Sequence, residues 1–247
     1  MKWLGGLRVS VLVLGLVLGG LTAAVIYNPQ WIKVEAVVIE MPDSSHEDLL
    51  FQRIRSSLAP QFQHYAGLFF WQVPLSSVLE TVSRDKRVRK ASVYREFPNR
   101  LRVEIEPHTP VLAYLSNDNR FYPVAKDATL LPAIKAGEIS DLPIIRGEEL
   151  KDEQHLREIA IELFDAIPTE GSLRKNSISE ILYSRKEGFK IFLEQGGGEI
   201  KMGDADFSPK IPRVEKVLNY LESQGVKGRV IDARFSKKVV VRVRNSP

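Results

Sequence analysis

Val9 to Ile26 is an unbroken run of eighteen residues without a charge, VSVLVLGLVLGGLTAAVI. At about 1.5 Å per helical residue the run reaches about 27 Å, close to the hydrocarbon thickness that one membrane crossing must span. Lys2, Arg8 and the amino terminus precede it with no acidic residue among them. The positive-inside tendency therefore keeps the amino terminus in the cytoplasm and places residues from 28 onward outside. Trp3 on one flank, and Tyr27 and Trp31 on the other, suit the two headgroup layers. A cleaved signal peptide is the competing reading, because Thr22-Ala23-Ala24 tolerates a peptidase cut. Its apolar core is usually about 7–15 residues, and the longer run favours a retained anchor.

About 220 residues follow the run, enough for one large domain or two small ones with their own cores. Two small domains are expected. The chain has 35 basic and 31 acidic residues, and Lys2 and Arg8 belong to the topology signal, so the exported part is nearly neutral. Nothing in that balance points to nucleic acid. There are no cysteines, which excludes disulfides, thiol chemistry and cysteine-built zinc sites.

Periodicity assigns the elements. Trp31 to Ile39, rich in valine and isoleucine, predicts a strand. Ser44 and Glu47 have capping-box spacing, and Leu50, Ile54 and Leu58 then recur as one helical face ending near Pro60. A second helix starts at Pro74, with Leu75, Val78, Leu79 and Val82 as its stripe, and ends before Val88. Residues 88–97 and 101–106 form a hairpin around Phe97-Pro98-Asn99-Arg100, where Leu101, Val103 and Ile105 alternate with Arg102, Glu104 and Glu106. Pro107 and Pro110 then mark a domain boundary. In the second half, Val111 to Leu115 reads as a strand and Asp141 to Gly147 as an extended segment. Leu156, Ile159, Ala160, Leu163, Phe164 and Ile167 mark a helix, and Ile178–Tyr183, Phe189–Leu193 and Glu199–Met202 short strands. A helix follows Pro209, and Val230–Phe235 and Val239–Val243 close the chain as strands. The fold class is α+β.

Catalytic chemistry has no visible carrier. His46, His64, His108 and His155 show no spacing that pairs two on one helix face, and no serine sits in a GxSxG elbow. Gly196-Gly197-Gly198 lies between two strands and reads as a hairpin turn rather than a phosphate cradle. Asp204 and Asp206 lack the glycine and closing glutamate of a calcium loop, so they read as carboxylates at a helix start. The basic run Arg84 to Lys90 reads first as a solvated helix end and second as a partner or lipid-headgroup patch. We expect no enzyme activity, cofactor, metal or small-molecule substrate.

What remains is a surface. In the last strand Val239, Val241 and Val243 face one way and Val240, Arg242 and Arg244 the other. A terminal strand tends to lie at a sheet edge, whose unpaired N–H and C=O groups another protein's strand can complete. The opposing reading is an edge blunted against such pairing by Arg242 and Arg244.

Val93-Tyr-Arg-Glu-Phe-Pro-Asn-Arg-Leu-Arg-Val-Glu-Ile-Glu-Pro-His-Thr-Pro-Val111, Asp141-Leu-Pro-Ile-Ile-Arg-Gly147, Lys201-Met-Gly203 followed by Lys210, and Ile231-Asp-Ala-Arg-Phe235 occur in this order. Together they resemble the FtsQ/DivIB family of bacterial cell-division proteins. The resemblance implies a cytoplasmic tail at 1–8, a transmembrane helix at 9–27, a POTRA-like domain at 31–107 and a β domain at 110–247. It also implies a non-enzymatic divisome scaffold at the septum of the inner membrane, with its carboxy-terminal domains extracytoplasmic. Such a scaffold binds an FtsB–FtsL pair and helps recruit septal peptidoglycan synthesis. Carried onto this chain, the partner contact falls on Arg234, Phe235, Val239, Val240, Val241, Arg242 and Val243, with Arg185 and Lys186 as a basic contact on a neighbouring strand. The family often has a Val-Asp-x-x-Gly-like turn where this chain has Pro123 to Asp127. The alternative function is a POTRA-containing envelope-assembly or secretion chaperone component.

Overall fold

A computed structural model describes residues 13, 17, 19, 20, 32–41, 49–135, 142–194, 198–226 and 229–243. The predicted anchor lies outside these residues except for Val13, Val17, Gly19 and Gly20, which are helical. No helix among the described residues is long and apolar enough to cross a membrane. The Ser44–Glu47 capping pair, His46, Gly196, Gly197 and Arg244 also lie outside them. The chain divides into two compact units, Met1–Pro107 and His108–Pro247.

The first unit runs β1 (Ala36–Glu40), α1 (Leu49–Leu58), a 3-10 helix (Ala59–Tyr65), α2 (Leu75–Ser83), β2 (Val88–Glu96) and β3 (Arg100–Pro107). Its sheet has the order β1-β3-β2, with β1 parallel and β2 antiparallel to β3. The period-2 alternation of β3 is realised in full: Leu101, Val103 and Ile105 are completely buried, in one core with Phe51, Ile54, Leu58, Val78 and Val82. One expectation needs correction. The first strand begins at Ala36 rather than Trp31, because the preceding residues pair elsewhere: Val34 N–H donates to Leu68 O at 2.8 Å and Phe70 N–H to Ile32 O at 2.9 Å. The first helix ends at Leu58, near Pro60 as expected, and the chain tightens there into the 3-10 helix, where a proline in the first turn loses no hydrogen bond. The basic run is largely neutralised locally, since Arg84 pairs with Glu80, Arg87 with Asp85, and Arg89 with Glu106.

The second unit is built on an eight-stranded sheet. Its strands are β4 (Pro110–Leu115), β5 (Phe121–Ala125), β6 (Ile144–Arg146), β7 (Ile178–Ser184), β8 (Gly188–Leu193), β9 (Glu199–Gly203), β10 (Arg229–Asp232) and β11 (Val240–Val243), in the order β11-β10-β9-β8-β7-β6-β4-β5. The helices are α3 (Glu149–Asp152), α4 (Gln154–Ala166) and α5 (Ile211–Ser223). Parallel pairs β6–β7 and β9–β10 require crossover connections, which contain α4 and α5 respectively. Both crossovers advance the same way across the sheet between strands that point the same way. The right-handed rule therefore places both helices over one face.

Register then lines that face with a single row. Ile145, Ile181, Ile191, Ile200 and Ile231 stand side by side on β6 to β10 and end against Val241 of β11. All five isoleucines are fully buried, in one core with Leu156, Ala160 and Leu163 of α4 and Val214, Leu218 and Leu221 of α5. The other face carries the alternate residues, among them Lys190, Lys201 and Asp232 in one cross-strand row.

Two features escaped the periodicity. Phe121–Ala125 is a strand although Pro123 interrupts its pattern; Pro123 contributes its carbonyl, which accepts from Leu131 N–H at 2.8 Å. Arg157 lies buried on the packed side of α4 beside the expected Leu156 and Ala160. Its guanidinium donates to the carbonyls of Ala128 at 2.8 Å, Leu150 at 2.7 Å and Lys151 at 3.0 Å. It thereby ties the β5 loop and α3 to α4. Burial pulls its pKa below the ordinary value, against the opposing pull of Asp152 and Glu158. Arg157→Met, which leaves these carbonyls without their donor, is expected to lower the unfolding free energy by about 2–4 kcal/mol. Urea denaturation of the variant beside the parent chain checks this.

Candidate partner-docking edge

β11, three valines with Arg242 among them, lies at the rim of the large sheet, joined antiparallel to β10 with Asp232 opposite Val240, Ile231 opposite Val241 and Val230 opposite Arg242. Val239 and Val241 are half-buried against the core, while Val240 and Arg242 are exposed. The two rims of this sheet are unlike. Outside β5, the chain folds back on itself: Ala125 N–H donates to Thr129 O at 2.9 Å, Leu131 N–H to Pro123 O at 2.8 Å and Ile134 N–H to Phe121 O at 2.9 Å. Outside β11, no strand or bridge is present among the described residues. The row of buried isoleucines thus ends on a half-covered Val241 with an open ladder beyond it.

The loop leading into β11 is held from two sides. Arg213, in the first turn of α5, donates to Phe235 O at 3.2 Å and Ser236 O at 2.7 Å, and to Pro209 O at 3.0 Å. Arg234 folds back on Asp232, with its backbone N–H at 3.1 Å and its guanidinium at 2.9 Å and 2.6 Å from the carboxylate oxygens. That turn corrects the expected strand: β10 ends at Asp232, and Arg234 and Phe235 lie in the loop, because Asp232 supplies an acceptor that competes with the ladder. The hydrogen bonds from Arg234 hold the Asp232 carboxyl below its ordinary pKa, and the same contact raises that of Arg234. Phe235 is exposed, with the Lys238 ammonium 5.3 Å from its ring centroid.

Arg185 and Lys186 are not on a strand neighbouring β11. They form the turn between β7 and β8, with β8, β9 and β10 standing between β7 and β11, roughly 19 Å across at the usual strand spacing. The turn closes on Gly188, whose φ of 70° and close approach to Gly203 leave no room for a side chain. Arg185 is engaged by Glu149 at 3.2 Å and Glu153 at 3.1 Å. The turn does share a sheet end with the β10–β11 loop, since β7, β9 and β10 finish there and β11 starts there.

Between the two lies an ion network that the sequence did not single out. Glu187 accepts from Lys190 and, at 2.6 Å, from Lys201, and Lys190 reaches Glu199 at 3.4 Å. Its members come from the β7–β8 turn, β8 and β9, so only the Glu187–Lys190 pair is local in sequence. Behind it the buried Lys210, at the start of α5, donates to Met202 O at 2.8 Å and to Ala205 O. Burial lowers its pKa, with Asp206 and Asp204 pulling the other way. Asp204 and Asp206 therefore sit beside Lys210 and do not cap α5, whose N-cap residue is Lys210. Among the described residues no group of three or more histidine or acidic side chains is arranged to hold a metal ion.

Hydrogen bonds from Lys190 and Lys201 lower the Glu187 carboxyl to about 2. A carboxylate whose folded pKa lies below its unfolded value contributes stability above the unfolded value, near pH 4.3. That contribution is lost as pH falls through about 2. NMR titration of the Glu187 side chain should show a midpoint near 2, and Lys201→Met should move it toward the ordinary value.

Residues 113–234 match the family model described as "Cell division protein FtsQ/DivIB, C-terminal". β11 lies beyond the matched residues. The chain is 28% identical over 178 residues to a cell division protein FtsQ of Geobacter sp. (strain M21), covering 69% of this chain and 64% of that protein. It is 25% identical to the FtsQ of Geotalea daltonii, over 68% of this chain and 63% of the relative. It is also 25% identical to a cell division protein DivIB of Bacillus anthracis, over 62% and 56% respectively. The chain thus spans less than two thirds of the length of these relatives.

Proposed function

From the premise that this chain carries the carboxy-terminal domain of the FtsQ/DivIB cell-division family, we propose that it is a non-enzymatic divisome scaffold. Its docking surface is the outer edge of β11. Val9 to Ile26 anchors it once in the inner membrane, residues 31–107 form a POTRA-like domain, and residues 110–247 form the β domain on the outer side, at the septum. The partner is an FtsB-like and FtsL-like pair, one of which adds a strand to β11. Through that pair the scaffold helps recruit and regulate septal peptidoglycan synthesis.

The observation that carries this reading is the difference between the two rims: one is closed by its own chain, and outside the other no strand pairs among the described residues. An added strand would satisfy the unpaired backbone groups of β11, and its inward side chain would extend the isoleucine row over Val241. Val240 and Arg242 would contribute on the opposite face. Arg234 enters the contact already oriented by Asp232, and Phe235 and Lys238 flank the start of the strand. Arg185 and Lys186 would touch a partner only where it extends past the sheet end toward the β7–β8 turn.

Val241→Pro removes a backbone donor or bends the strand, and is expected to weaken binding of the FtsB–FtsL-like pair at least tenfold, about 1.4 kcal/mol. Val240→Lys keeps the backbone and is expected to weaken binding less. Titration calorimetry with the purified pair measures both, with the urea midpoint confirming the fold. Unchanged affinity of a folded Val241→Pro chain would rule out strand addition at this edge.

A further inference from the structure

In the first unit, residues 67–72 close a turn whose only strand-like pairing among the described residues is to Ile32–Val34, the first continuous described segment after the apolar run. Gly67 N–H donates to Val34 O at 2.9 Å, Val34 N–H to Leu68 O at 2.8 Å and Phe70 N–H to Ile32 O at 2.9 Å, and Lys33 bridges antiparallel to Phe69. Antiparallel pairing carries the turn back along the chain, so Trp71 follows Phe70 at the Ile32 end of the pairing. The turn is closed reciprocally: Gln72 N–H donates to Phe69 O at 2.8 Å, and Phe69 N–H to the Gln72 side-chain oxygen at 3.1 Å.

This turn exposes what a folded domain ordinarily covers. Trp71 is 59% exposed and Leu68 39% exposed, and the Trp71 ring stacks on Phe69 at 5.1 Å and 9°. Two cations border it. Lys33 lies 5.7 Å from the Phe69 ring centroid, and Arg95 donates to Phe70 O at 3.0 Å and Val73 O at 2.7 Å. Neither meets a carboxylate among the described residues. The Arg84–Lys90 run is different: three of its arginines are paired with carboxylates, and it lies toward the opposite end of β2 from Arg95.

We infer that the Leu68–Trp71 turn docks on the lipid surface, with Trp71 and Leu68 entering the headgroup layer and Lys33 and Arg95 meeting anionic headgroups. The inference rests on the anchored reading of Val9–Ile26. Five residues lie between Ile26 and Ile32, so fully extended chain holds Ile32 within about 20 Å of the end of the apolar run. The headgroup layer occupies part of that distance, and tryptophan with an apolar body and a polar N–H is the side chain best suited to it. A lipid surface, unlike a protein partner, is then always within reach and needs no shape complement to a small turn. The consequence is a second point of attachment, which limits how the first unit swings about its tether.

The test uses the full-length chain in vesicles of phosphatidylcholine with about one third phosphatidylglycerol. Trp3→Phe with Trp31→Phe leaves Trp71 as the sole tryptophan and the turn unaltered. In a second chain, those changes together with Trp71→Phe and Leu16→Trp report on the apolar run itself. The expected result is that brominated lipids remove roughly half of the Trp71 emission and that aqueous iodide quenches it little. If Leu16→Trp is quenched by bromolipid while Trp71 stays open to iodide, lipid docking is overturned and the anchor stands; the turn is then left to a protein partner. If Leu16→Trp is not quenched, the anchored reading falls and this inference with it.

Discussion

One cross-strand row organises the second unit. Five isoleucines from five strands, none with exposed surface, meet in register beneath α4 and α5. A slip of one residue in any of these strands would turn its isoleucine to the charged face and bring a residue such as Lys190 or Lys201 into the core. Register is therefore fixed by burial more than by turn chemistry. The same constraint sets which residues are left outside: the alternate positions form the ion network around Glu187 and present Val240 and Arg242 at the rim.

The candidate docking edge follows from where that row stops. At β5 the following segment supplies the missing hydrogen bonds, so that rim is finished within the chain. At β11 the row ends on a half-buried valine, and among the described residues no strand pairs beyond it; in the proposed setting an incoming strand would complete that ladder. Asp232 and Arg213 fix Arg234 and the carbonyls of Phe235 and Ser236 beside this edge. Because these groups are ordered within the chain, an added strand would meet a preorganised edge and would not itself have to order the loop. In the proposed setting the membrane anchor adds a second advantage, since partners held in one bilayer meet the edge at raised effective concentration.

The elements most readable in the sequence were those whose pattern is local. Leu101, Val103 and Ile105 alternate as a half-wet strand must, and Ile54 with Leu58, or Leu156 with Ala160, recur as a packed helix face must. Burial confirms each. Boundaries were less readable where a distant segment competes for the backbone. Residues 32–34 looked like the start of a strand but are hydrogen-bonded to the 68–70 turn, and Arg234 and Phe235 looked like the end of one but are drawn off by Asp232. Arg157 was hidden for another reason: its partners are carbonyls of Ala128, Leu150 and Lys151, and no sequence pattern marks a carbonyl left without a donor.

For the candidate site, the alternation of Val239 to Val243 already placed valines inward and an arginine outward, and the order of motifs already pointed to the family. Those are properties of adjacent residues and of their succession, which a chain carries before it folds. Which strands become neighbours is different, because it depends on where the crossovers through α4 and α5 land. Only the tertiary structure left β11 without a further strand beside it among the described residues while closing the rim at β5, and set the Arg185–Lys186 turn three strands away from the edge it was expected to flank. It alone brought Glu187, Lys190 and Lys201 together, since their meeting requires the register that the buried isoleucines impose.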